Sequence, residues 1–122
     1  MIMSMFIDKL STYGVNIEKV MERFVNDENL YYTCLLSFIE DTSFDKLGEA
    51  IENRDFSYAF EQSHTLKGVS GNLGLTGIFK SVCIIVESLR HNEYDNLQQL
   101  FQIVLAEKEK LEQILSTLIV DS

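Results

Sequence analysis

The sequence predicts an all-α fold: an antiparallel four-helix bundle with short extra helices at its N-terminus. Three observations carry this reading. The 122 residues include no proline and only six glycines, too few turn formers for a β-rich domain. Apolar residues recur three and four apart in each long segment, the period of a helix with one buried face. The breaks between segments are short, as between antiparallel neighbours in a bundle. Residues 1–122 read as one domain, with 1–26 a helical cover and 28–119 the bundle.

The first helix is expected over about Ile2 to Thr12, stopping before Gly14. Asn16 is placed to cap a second short helix, Ile17 to Val25, with Ile17, Val20, Met21, Phe24 and Val25 at helical spacing. Asn26-Asp27 caps a longer segment in which Leu30, Tyr31, Cys34, Leu35, Phe38 and Ile39 form a helical stripe with a flanking row. Asp41-Thr42-Ser43 interrupts it, and Phe44, Leu47, Ala50 and Ile51 resume the pattern to about Asn53. The pattern fits one bent helix or two. Asp55 is the expected cap of a helix from Phe56 to Leu73 that ends at Gly74. Thr76 is the expected cap of its successor, which runs to about His91. The last helix, about Tyr94 to Ile119, carries Leu97, Leu100, Phe101, Val104, Leu105, Leu111, Ile114, Leu115 and Leu118 inward. Its Glu107, Lys108, Glu109, Lys110 and Glu112 form a solvated face.

The net charge of −9 argues against a nucleic-acid partner, which needs Lys and Arg to neutralise phosphates. It argues equally against an anionic membrane surface. No run approaches the roughly 18 apolar residues of a membrane span. The apolar start, Met1 to Ile7, lacks the basic lead of a signal peptide and meets Asp8 and Lys9 at once. Cys34 and Cys83 lie apart in apolar helical stretches, as buried reduced thiols do. A cytoplasmic location is expected.

The stretch that stands out is Ser63-His64-Thr65-Leu66-Lys67-Gly68-Val69-Ser70-Gly71-Asn72-Leu73-Gly74. At about 100° per residue, Leu66, Ser70 and Leu73 join Ser63, Ala59 and Phe56 on one face. His64, Lys67, Gly68 and Gly71 share another arc, roughly 100° wide. Each interior glycine costs a helix about 1 kcal/mol relative to alanine. Glycines at 68 and 71, on the arc of His64, imply that bare backbone is wanted where something approaches the imidazole.

His64-x-Leu66-Lys67-Gly68, followed by Leu73-Gly74, resembles the signature of histidine-containing phosphotransfer (HPt) domains, and the helical layout extends the likeness over most of the chain. The resemblance implies that His64 accepts a phosphoryl group from a receiver-domain aspartate and passes it to another. It implies that Lys67 stabilises the phosphoryl group and that Gly68 gives clearance to the partner. Gly71 matches a less essential part of the pattern. Phe60, Glu61, Thr65 and Gly71 are the expected partner-binding rim, from their neighbourhood on the helix. The implied partners are response-regulator receiver domains or a hybrid histidine kinase.

The chemistry is compatible with these residues. A neutral imidazole, with an ordinary pKa of about 6.5, is a nucleophile near pH 7, and phosphoryl transfer asks mainly for positioning and charge stabilisation. No phosphate-binding Gly-rich loop or kinase ATP segment occurs, so no ATP-dependent kinase activity is expected. No second histidine stands at metal spacing. No cofactor is expected on this chain, and Mg²⁺ would belong to the receiver. A monomer and a free-standing protein are the expectations. His91, at a helix C-terminus, reads as structural or neutral. The alternative is a helical docking module that binds a response regulator or kinase without being phosphorylated; an excised domain of a larger histidine kinase would share the chemistry. A hydrolase is disfavoured, since no paired carboxylate stands within reach of His64.

Overall fold

The computed structural model describes residues 2–121, with side chains from 6 to 117. Seven helices occur among the described residues, without a strand: α1 (Ile2–Tyr13), α2 (Ile17–Arg23), α3 (Glu28–Ile39), α4 (Ser43–Glu52), α5 (Phe56–Asn72), α6 (Thr76–Arg90) and α7 (Leu97–Asp121). Side-chain caps start three of them. Asn16, Asp27 and Asp55 each accept a hydrogen bond from the backbone N–H three residues on, satisfying a donor that a helix start leaves open.

α4, α5, α6 and α7 form a closed ring in which α5 packs on α4 and α6, and α7 packs on α6 and α4. Phe60 of α5 lies beside Arg90 of α6, and Gly71 lies beside Phe79, so these two helices run antiparallel. The bundle predicted from the sequence is the observed architecture. Its core includes Leu47, Ala59, Leu66, Ile78, Val82, Ile85, Val104 and Leu111, all buried. Burying each of the larger of these contributes about 1.5–3 kcal/mol. α1 lies on α7 and touches α2. An aromatic group continuous with this core joins the first three helices, with the Tyr31 ring 6.4 Å from that of Phe6 and 5.1 Å from that of Phe24.

Of the two forms the pattern allows for residues 28–53, the chain takes two helices, with the Asp41 carboxylate accepting from the Ser43 N–H at 2.8 Å between them. Several other local expectations are corrected. α2 ends at Arg23, so Val25 is not an inward position. The Asn26 N–H returns to the Met21 carbonyl at 2.8 Å, with Val25 and Asn26 at φ +46° and +60°, and the Val25 side chain is 80% exposed. Thr76 does not cap α6. Leu75 occupies that position because its N–H is tied back to Ser70 at 3.0 Å, and the Thr76 hydroxyl donates to the Gly14 carbonyl instead. Tyr94 precedes α7 and stacks on Phe56 at 3.8 Å and 7°. The inward placement expected of Leu118 falls outside the described side chains. No described helix is long and apolar enough to cross a membrane.

Candidate functional site

α5 presents the site on the side of the bundle. Ala59, Ser63, Leu66 and Ser70 bury one face of it. The hydroxyls of Ser63 and Ser70 donate to the carbonyls of Phe60 and Lys67, three residues back, so two small polar side chains sit in the core with no unmet bond. With that face fixed, His64 is turned outward and exposed. The helix ends in a left-handed turn. Gly74 has φ +71°, its N–H donates to Gly71, and the Leu75 N–H donates to Ser70, which satisfies two terminal carbonyls. A Cβ at Gly74 would stand 2.5 Å from Val20 Cγ2 of α2, so glycine is required there on two counts.

α2 and α3 secure the same terminus. The Arg23 guanidinium donates to the carbonyls of Gly71 and Asn72 at 3.1 and 2.8 Å. The Tyr31 hydroxyl donates to the Leu73 carbonyl at 2.6 Å. A cation at this end also complements the helix dipole. Burial raises the Tyr31 pKa well above the ordinary tyrosine value, against a smaller lowering by Arg23. The hydroxyl therefore stays protonated as a donor.

Lys67 is half-buried one turn from His64, and its ammonium pairs with no carboxylate among the described ion pairs. Gly68 is exposed, and a Cβ built on it would meet nothing within 4 Å. Its φ is not positive either, so nothing inside the chain calls for glycine at 68. Gly71 is different. Its Cβ would stand 3.2 Å from the Phe79 ring, so a side chain there would press on α6. Glu61 and Thr65 are exposed beside His64, the Thr65 hydroxyl donating to the Glu61 carbonyl.

Phe60 is half-buried, its ring centroid 6.0 Å from that of His64. Across the seam, the Arg90 guanidinium lies 5.8 Å from the Phe60 ring and pairs with Glu87. Arg90 and Glu87 were not expected at the site. No spacing in the sequence announces them, because only the packing of α6 on α5 brings them there. Among the described residues the imidazole held by a hydrogen bond is that of His91, beside the Glu87 carbonyl at 2.8 Å; the His64 ring makes no hydrogen bond to them. Clefts of about 500 and 520 Å³ lie elsewhere, between α1 and α7 and around the turn before α7. His64 stands on open helix surface, where a macromolecule can reach it.

Comparison with curated proteins and with solved structures finds no match. A family model does match: that of the Hpt domain, over residues 35–119. The match begins inside α3 and takes in the bundle and the whole of α5. Hpt domains are histidine phosphotransfer modules of phosphorelays, phosphocarriers and not kinases, which interact with receiver domains and kinases of two-component systems. With the family match spanning well over half its length and an exposed histidine on the matched helix, the chain belongs to the Hpt domain family.

Proposed function

We propose that His64 is the phosphorylated residue, taking a phosphoryl group from a receiver-domain aspartate and handing it to another. A lone pair of the imidazole forms the P–N bond as the P–O bond to the aspartyl carboxylate breaks, and that carboxylate leaves with the electron pair. The second ring nitrogen keeps its hydrogen. The reverse step on a second receiver returns the imidazole. Lys67 supplies a cation one turn away for the phosphoryl oxygens. Mg²⁺ belongs to the receiver, and this chain brings no cofactor of its own.

One observation carries the reading: Gly68, exposed and one turn from His64, has no internal reason to be glycine. Its cost to the helix makes sense if the loops of a docked receiver need that space. Glu61, Thr65 and Phe60 border the same surface and complete the proposed rim with Gly71. The carrier works in the cytoplasm as a monomer.

The test is transfer of label from a panel of phosphorylated receiver domains to wild type and to His64→Ala. Acid-labile, base-stable label on wild type alone, with unchanged circular dichroism of the variant, is the expected result. Equal label on both proteins would place the phosphoryl group elsewhere. A receiver that binds wild type yet never labels it would leave a docking module.

A further inference from the structure

An exposed imidazole with no hydrogen bond turns freely about its side-chain torsions, on the picosecond to nanosecond scale. In-line attack uses only the orientations that aim a ring nitrogen at phosphorus, so anything that narrows the swing raises the rate. The helical Cα–Cβ bond tilts toward the N-terminus, which leans the His64 ring over the preceding turn. Phe60 is the aromatic residue on that turn. Its ring centroid lies 6.0 Å from that of His64 with the planes inclined by 31°, inside the range of interacting aromatic pairs.

Phe60 is itself held. It is half-buried at the α5–α6 seam, and the Arg90 guanidinium stands 5.8 Å from its ring, within reach of a cation–π contact. Glu87, one turn back on α6, pairs with that guanidinium. Glu87, Arg90, Phe60 and His64 thus form a continuous row across two helices. We infer that Phe60 is a positioning residue for phosphoryl transfer, which acts by restricting the His64 imidazole while Arg90 holds it from α6. The inference rests on His64 being the phosphorylated residue, and it assigns Phe60 a role within the chain beyond contact with a partner.

The experiment separates positioning from docking by using two donors. Phosphoramidate is small and docks on no surface, whereas a phosphorylated receiver must bind. Phe60→Leu and Phe60→Ala are expected to slow labelling of His64 by both donors about three- to tenfold. Because Phe60 also borders the proposed docking rim, the small donor is the decisive one: slower labelling by phosphoramidate reports on the imidazole alone. The His64 ring resonances in carbon–proton NMR spectra should move in both variants, as the neighbouring ring current is lost. Phe60→Tyr restores the rate, and Arg90→Gln gives an intermediate one. Full labelling by phosphoramidate combined with lost receiver binding would make Phe60 a docking contact and overturn the proposal. Unmoved His64 resonances in Phe60→Leu would overturn it too. If wild type took label from neither donor, the phosphohistidine assignment would fall, and this proposal with it.

Discussion

The Tyr31 hydroxyl donates a 2.6 Å hydrogen bond to the Leu73 carbonyl, joining α3 to the end of the helix that carries His64. Tyr31 is completely buried and Leu73 nearly so, so the carbonyl loses its partner outright when the hydroxyl is removed. Tyr31→Phe is expected to cost about 1–3 kcal/mol, read as a lower urea midpoint at unchanged slope. Labelling of His64 at low temperature should persist, because the bond lies at the far end of α5.

Stability is expected to fall in alkali. Burial raises the pKa values of Tyr31 and Tyr13 well above the ordinary tyrosine value, and the Glu107 carboxylate adds to the rise at Tyr13. In the unfolded chain both ionise near pH 10. Above that pH the unfolded state has released protons that the native state retains, so stability declines as pH rises. It is fully present below pH 10 as far as these groups are concerned. Urea titrations from pH 8 to 11 should show the decline, with a shallower slope in Tyr31→Phe.

Gly68→Ala and Gly71→Ala should part company. A Cβ at 68 meets nothing within 4 Å, whereas one at 71 meets Phe79 at 3.2 Å. The first change should stabilise the protein by up to about 1 kcal/mol through helix propensity. The second should gain less or lose, depending on how far the Phe79 ring gives way. Thermal melts of the two variants check this. A bulky residue at 68 should leave the melt intact and block receiver binding.

Lys67→Ala should slow transfer from a phosphorylated receiver about tenfold or more, for the loss of a charge-assisted hydrogen bond worth about 1.5–3 kcal/mol. Single-turnover kinetics against binding titrations would locate the loss in the transfer step. Lys67→Arg should recover part of the rate.

Much of this arrangement is legible in the sequence because it is local. Asp27 and Asp55 cap α3 and α5 as their positions suggest, and Ser63 and Ser70 bond within their own helix. Periodicity places His64 outward by the residues it sends inward. Thr76 and Val25 depart from the spacing because consecutive turns compete for one backbone group: the Leu75 and Asn26 N–H groups each return to a carbonyl five residues back. What crosses between helices leaves no trace in spacing. Arg90 over Phe60, Phe79 on Gly71, and Arg23 on the Gly71 and Asn72 carbonyls depend on packing. An expected roll of apolar contacts does not say which helix end receives a charge.

The family match starts at residue 35, within α3. Val20, Arg23 and Tyr31, which close the end of the helix that carries His64, all precede it. A chimera cut at the family boundary would split α3 and leave the α5 terminus open to solvent. In hydrogen–deuterium exchange, amides of Gly74 and Leu75 should then lose protection well before those at the middle of α5. Grafting this domain onto another protein therefore calls for α2 and the whole of α3 as well as the matched segment.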